Sequence, residues 1–307
     1  MSAAAALGAS FLAVLAHPRW WVMALATFLV RGGLLLLLLP LIPLPTTAAL
    51  ANALGPTLVG FVFGGPSASF LLLGGTVVLA LLAWFVAAGF LGAILDRALM
   101  REAAGEDELE GRWSPMDAGI GRELAVRWLA HVPTGAALAW GAAAFVDATY
   151  TELIQPGDPA IPVAVRVILR VPISIGLIVA AWAFGEAVGG VAVRRAASGV
   201  GIRRALLDGI TGLLRPSGLL VFLVTSLGLI VAVGAGSYAI DFAFEQARML
   251  ILGDASTLQQ ALAVGLLSAT WIGTIVLVAI AAAWRATAWT FEVARRQPYR
   301  TIGPLSG

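Results

Sequence analysis

The sequence predicts an all-α fold, a polytopic membrane helical bundle of six transmembrane helices with three amphipathic helices lying on the cytoplasmic surface. Three observations carry this. The 307 residues are 60% hydrophobic and only 12% charged, with a mean hydropathy of +0.95, whereas a soluble domain carries about 25% charged residues. The apolar residues fall in runs of more than 20, long enough to cross a hydrocarbon core of about 30 Å. A short junction also comes three times: Leu15-Ala16-His17-Pro18-Arg19-Trp20, Leu129-Ala130-His131-Val132-Pro133 and Leu213-Leu214-Arg215-Pro216. At each, a His or Arg stands one or two residues before a proline, a short partly apolar stretch precedes it, and a long apolar run follows. This reads as the end of a surface helix, a proline break and the start of a spanning helix.

Taken in order, residues 2–16 are weakly amphipathic, with Leu7, Phe11 and Leu15 on one helical face. The first span covers residues 20–44, contains Arg31 and ends at Pro40, Pro43 and Pro45. Residues 46–69 read as an apolar loop, with the turn signals Gly55-Pro56 and Gly64-Gly65-Pro66. The second span, 70–95, is stopped by Asp96, Arg97 and Arg101. Residues 102–115 carry Glu102, Glu106, Asp107, Glu108 and Glu110 and read as a solvated loop. Met116, Ile120, Leu124 and Trp128 recur every fourth residue, with Asp117, Arg122, Glu123 and Arg127 between them, which predicts a helix lying on the membrane. The third span, 133–146, is the shortest. A turn-rich loop with Glu152 and Asp158 leads to the fourth span, 163–193, stopped by Arg194-Arg195. Ile202, Leu206, Ile210 and Leu214 repeat the four-residue spacing before the fifth span, 217–240. A mixed loop, 241–260, precedes the sixth span. That span is apolar to Trp284 and keeps helical composition through Arg296.

All nineteen basic residues other than the two His are Arg, and with the abundant Ala, Gly, Leu and Val this is associated with GC-rich bacterial genomes. Fifteen of the nineteen lie in the N-terminal segment, the loops after spans two and four, and the C-terminal tail. The positive-inside rule therefore predicts a bacterial plasma-membrane protein with both termini cytoplasmic. No cleavable signal peptide is expected, because the first apolar run is too long for one. Trp84 precedes Arg97 by thirteen residues, Trp182 precedes Arg195 by thirteen and Trp284 precedes Arg296 by twelve. Within the single membrane domain, 1–307, these exits and the junctions delimit three repeat segments, 1–104, 105–198 and 199–300. Shared ancestry and shared topology would both produce that pattern.

At the junctions, His17, His131 and Arg215 sit where a cation would offset the unpaired carbonyls at a helix C-terminus. Proline then starts the next helix, since its missing N–H is tolerated in a first turn. The functional alternative is a metal or proton site formed by the two His, but no ligand spacing supports a metal. Charges within the spans are expensive, at least ~2.5 kcal/mol at mid-bilayer. Arg31 and Asp147 lie thirteen and fourteen residues past Pro18 and Pro133, which predicts either a pair between matching helices or separate snorkelling to the surface. Arg166 and Arg170 share a face and read as lipid-phosphate anchors or as an anion site. Glu186 and Arg285 form the other candidate pair. Gly185, Gly189, Gly190, Gly228, Gly234 and Gly236 allow close helix packing.

There is no Cys, so thiolate catalysis and disulfides are excluded, and the nucleotide-loop, nucleophile-elbow and zinc-protease motifs are absent. No catalytic residue, cofactor or metal is expected. Arg195 stands where the coupling loop of ABC-importer permeases opens with Glu. The three-segment plan, over residues 10–300 and through its Leu-x-x-Pro-type junctions, resembles bacterial multi-pass families such as the membrane domain of glycerophosphodiester phosphodiesterases. Their catalytic barrel has no counterpart here, so the resemblance implies a membrane bundle and no activity. The expected function is a non-catalytic structural or partner-binding membrane protein. The alternatives are a transporter or permease subunit for a small solute, an anion if the intramembrane Arg face a cavity, and then a lipid-modifying enzyme. Expected partners are membrane lipids and a protein at the cytoplasmic face; a net charge of +2 gives no basic surface for nucleic acid.

Overall fold

The computed structural model describes residues 2–42, 46–65, 67–106, 109, 113, 115, 120–158, 161–253 and 256–297. Pro43, Pro45, Pro66, Asp107, Glu108, Glu110, Met116 and Asp117 lie outside the described residues. The described chain is helical, with no strand. Its elements are α1 (Ala3–Ala16), α2 (Pro18–Phe28), a π turn (Leu29–Gly33), α3 (Leu34–Leu38), a 3₁₀ turn (Leu39–Leu41), α4 (Thr47–Gly64), α5 (Ala68–Ala104), α6 (Ile120–Ala130), α7 (Val132–Ile154), α8 (Val163–Arg170), α9 (Pro172–Ala197), α10 (Ile202–Leu213), α11 (Pro216–Leu252) and α12 (Thr257–Arg295). Five stretches are long and apolar enough to cross a membrane: Pro18–Leu41, Phe70–Ala104, Pro172–Ala197, Pro216–Leu252 and Thr257–Arg295. The pair α6–α7 supplies a sixth if taken as one bent span. The chain is an all-α, multi-pass membrane protein.

Each long helix after a junction begins on its proline, at the first or second position of α2, α7 and α11. Ser2 caps α1 by accepting from Ala5 N, and Ser256 with Gln259 forms a reciprocal capping box on α12. Four segments depart from expectation. Residues 47–64 are helix α4 despite the internal Pro56; apolar backbone satisfies its polar groups within a helix even at the cost of one proline. The fourth span is broken at Val171, which Pro172 holds out of the helical region at φ −123° and ψ 46°. Helix α11 runs on to Leu252, through what read as a loop, and α7 continues past Val146 to Ile154.

The chain forms two compact units. The first comprises Met1–Ile42, Ala88–Leu129 and Ala187–Gly307, the second Pro43–Ala87 and Ala130–Glu186. In the first, α11 and α12 pair along their lengths, and α1 and α2 pack on α12. Trp284 donates its indole N–H to Leu7 O and meets Phe11 edge-on, centroids 5.2 Å apart. A Cβ on Gly236 would lie 2.2 Å from Thr274, and one on Gly190 2.5 Å from Trp289, so both glycines mark close helix approach. Gly234, by contrast, has open space beside it. Leu109 and Trp113, from the stretch read as a solvated loop, are buried in this unit's core with Val14, Trp20, Val126 and Phe291. In the second unit Ala148, Val163, Val167 and Val171 form a small core under Phe145 and Ile175.

Two of the short helices turn part of the apolar stripe outward, while on α6 Ile120, Leu124 and Trp128 are half-buried. On α10, Ile202, Ile210 and Leu214 are exposed, while Ala205, Gly209 and Gly212 are buried. On α1, Phe11 and Leu15 are exposed, while Leu7 of the same stripe is buried with Ala6, Ser10, Ala13 and Val14. An outward apolar stripe suits a lipid interface, which removes exposed apolar area from water as a protein core does.

The cytoplasmic orientation has a direct test in this Cys-free chain. Single Cys at Gly105 and Gly201 are expected to resist an impermeant thiol reagent added outside intact cells, and Cys at the exposed Gln155 to react. Gln155 is preferable to Gly157, where a Cβ would lie 3.2 Å from Arg166 Cδ. Outside labelling at Gly105 would reverse the threading.

Candidate functional site

Helix α5 meets the first span at two levels in the first unit, one of them at Glu102. Its Oε2 accepts from Trp20 Nε1 at 2.7 Å and lies 2.8 Å from Arg19 Nε. Three turns further along α2 comes Arg31, and nearly three turns back along α5 comes Gly92, each about 15–17 Å from that level. The helix is broken there: Leu29–Gly33 is a π turn in which Gly32 takes φ +105°, a value side chains other than glycine's resist. A Cβ on Gly92 would fall 2.6 Å from Arg31 Nε, so the guanidinium lies across a surface that only glycine leaves open.

From there Arg31 Nη2 donates to Asp96 Oδ2 at 2.8 Å, and Arg127 Nη2, from α6, donates to the same oxygen at 2.5 Å. Asp96 had read as the end of a span. It is instead the shared counter-ion of two arginines. The expected pair between Arg31 and Asp147 gives way to this one; Asp147 is exposed on α7. Counting residues from the prolines gave no information about which way round the helix Asp147 points.

Next to this triad, Arg97 Nη1 lies 3.4 Å from Glu123 Oε1, with 8% and 2% of the two side chains accessible. Glu123 and Arg127 had read as the solvent face of α6, but Glu123 and Val126 are fully buried. Arg194, on α9, is also buried. Its Nε donates to Thr290 Oγ1 at 3.0 Å, Nη1 to Gly190 O at 2.8 Å and Nη2 to Ala286 O. All three acceptors are neutral. Arg194 lies within electrostatic range of Asp96, Glu123, Arg127 and Arg285, the last half-buried on α12. Four helices and the π turn thus bring five Arg and two carboxylates into one polar cluster within apolar helices.

The second unit holds a different knot. Arg166 Nε donates to Glu152 Oε2 at 2.7 Å, Nη1 to Asp158 O and Ile161 O at 2.6 Å each, and Nη2 to Thr47 Oγ1 at 2.7 Å. Arg170 bonds the other Glu152 oxygen, and Gly157 N donates to Oε2 at 3.2 Å. The lipid-anchor and anion-site readings of these two Arg both missed Glu152. Arg166 ties the start of α4 to the loop after α7, and Arg170 is the more exposed of the two.

The junction cations do three different things. His17 caps α1: its Nδ1 is 2.9 Å from Ala13 O, its ring stacks on Trp20, and Trp21 Nε1 donates to Val14 O. His131 Nε2 instead lies 3.2 Å from Glu186 Oε1, giving Glu186 a partner the sequence did not indicate. Arg215 is exposed at the start of α11 and makes no side-chain cap. Among the described residues, no group of three or more His, Asp or Glu gathers as metal donors. No family model, curated protein or solved structure matches this chain, so the reading of the cluster stands on its geometry.

Proposed function

We propose that this multi-pass membrane protein binds a small oxyanion at the arginine cluster of its first unit and acts as a carrier or permease subunit rather than as a purely structural or partner-binding element. The observation that supports this is Arg194, a buried guanidinium whose bonded acceptors are all neutral. The nearby Asp96 already serves both Arg31 and Arg127. Three guanidinium groups around one carboxylate in a low-dielectric interior favour a further negative charge. Planar, forked donors suit a tetrahedral or carboxylate-like oxyanion. In a bacterial plasma membrane with cytoplasmic termini, the anion would be a free solute or the phosphate of an acidic lipid.

The test is thermal unfolding of the detergent-purified protein. Sulfate and inorganic phosphate are titrated against chloride at constant ionic strength, and phosphatidylglycerol is compared with phosphatidylcholine in mixed micelles. A saturable rise in Tm is expected, equivalent to about 2.7 kcal/mol at a hundred times Kd, and its loss in Arg194→Met. A response to free anions assigns a solute; a response to phosphatidylglycerol alone assigns a lipid headgroup. No response to either removes the oxyanion reading and leaves the structural or partner-binding role.

A further inference from the structure

Among the described residues, three carboxylates are almost wholly buried: Glu123, Glu152 and Glu292. Two of them are saturated. Glu152 accepts from Arg166, Arg170 and the backbone of Gly157. Glu292 accepts from Arg295 Nη2 at 2.7 Å and Arg296 Nε at 2.8 Å, with further bonds from both. Glu123 differs from both. Neither of its oxygens has a hydrogen-bond partner, and the nearest guanidinium nitrogen, Arg97 Nη1, stands at 3.4 Å, beyond the roughly 2.7–2.9 Å of a charge-assisted bond. The contrast is local. Asp96 and Arg97 are neighbours on α5, and Glu123 and Arg127 are one turn apart on α6. Of the two cross-pairs, Asp96 with Arg127 is tight and Arg97 with Glu123 is loose.

We infer that Glu123 is a proton-binding carboxylate, and that the proton it takes up replaces Arg97 as its counter-charge and releases that guanidinium toward the bound oxyanion. The second half rests on the oxyanion reading above; the first does not. An ionised carboxylate buried without hydrogen bonds is costly, and a proton on Oε1 or Oε2 removes that cost. The charged groups facing it are Asp96, Arg97 and Arg101 from α5, Arg127 on its own helix and Arg194 from α9, with Arg31 and Arg285 behind them through Asp96 and Arg194. Taking up one proton offsets one unit of the incoming anion's charge, so a dianion such as sulfate adds only one net negative charge to a cluster rich in Arg, which a low-dielectric interior favours over adding two. The carboxylate gains one proton from solution, and the anion gains the contact that Arg97 gives up.

Sulfate is the suitable probe, because it stays fully ionised from mildly acidic to alkaline pH, so any proton taken up on binding belongs to the protein. The wild-type protein is expected to take up about one proton per sulfate bound, read with a pH dye in weak buffer. Its sulfate affinity should rise about tenfold for each unit of falling pH while Glu123 is ionised. Glu123→Gln should bind sulfate with no proton uptake and no pH dependence. Wild-type binding without proton uptake, or wild-type pH dependence retained in Glu123→Gln, overturns the inference while leaving the oxyanion reading intact.

If the wild type binds no sulfate, the oxyanion reading fails and Tm against pH decides the remainder. A carboxyl that holds its proton more tightly when buried in the folded state than when exposed in the unfolded one makes the folded state bind more protons wherever the two states differ. Stability then increases as pH falls and is lost as pH rises through the folded-state titration. The wild type should show this rise relative to Glu123→Gln, and superimposable curves overturn the proposal. Proton uptake by the wild type needs no variant, so poor folding of Glu123→Gln does not remove the test.

Discussion

Asp96→Leu lowers the unfolding free energy of the detergent-solubilised protein by about 3–5 kcal/mol, the usual loss when one partner of a buried pair is removed and the other charge stays behind. Here two charges stay behind, since Arg31 and Arg127 both bond the same carboxylate oxygen, and Arg194 loses its strongest described attraction as well. Removing Arg31 together with Asp96 restores part of the loss, because Arg127 is still uncompensated. Removing Arg31, Arg127 and Asp96 together restores most of it. Asp96→Asn falls between, as its amide oxygen accepts one bond without carrying charge. Asp147→Leu, by contrast, changes stability by no more than about 0.5 kcal/mol, as surface positions do, because Asp147 is exposed. The measurement is reversible unfolding followed by tryptophan fluorescence across the set of variants. An Asp96→Leu loss under about 0.5 kcal/mol would show that solvent screens the cluster. Additive losses from Arg31→Leu and Asp96→Leu would show that the two residues do not interact.

The existence and order of the spanning helices were legible because hydropathy reports directly on what lipid requires. Their ends were not. Asp241, Glu245 and Arg248 read as a loop, yet helix α11 continues through them to Leu252 with Arg248 Nη1 3.4 Å from Glu245. Hydropathy marks where a helix stops being apolar, not where its backbone bonds stop. The role of Pro18, Pro133 and Pro216 was legible because a first helical turn tolerates proline for purely local reasons. The cations beside them depend on what the fold brings near: His17 meets a carbonyl of its own helix, whereas His131 reaches Glu186 on another. Pro172 could have been read as a break in the same way as those three prolines. The partner of Arg31 lies 65 residues away, at a residue whose charge looked like the end of a helix. Glu123 and Arg127 were misplaced for a more general reason. In water the polar face of a helix points out. In a bundle whose exterior is lipid, the apolar stripe points out and the polar residues are turned inward to find one another.

Arg194→Met is expected to leave the ligand-free protein as stable as wild type or more stable, by about 1–2 kcal/mol, while abolishing the response to oxyanions. The sign follows from comparing terms. A buried guanidinium carries a desolvation penalty of several kcal/mol. Its position in the last turns of α9 returns about 0.3–1 kcal/mol through the helix dipole, and its bonds to Thr290, Gly190 and Ala286 return part of the rest. None of those acceptors is stranded by its removal. Gly190 O and Ala286 O lie inside helices where the backbone N–H four residues on can satisfy them, and the Thr290 hydroxyl can turn back to Ala286 O. The unbranched thioether fills the space of the aliphatic stem without demanding one rotamer. Asp96 keeps both of its bonded arginines, so the substitution does not repeat the damage of Asp96→Leu. A residue that weakens the resting protein and is tolerated in the structure is what a ligand site requires, because the missing charge arrives with the ligand. A loss of several kcal/mol in Arg194→Met would show the opposite, that the cluster is electrically balanced as it stands, and would favour the structural reading over the carrier.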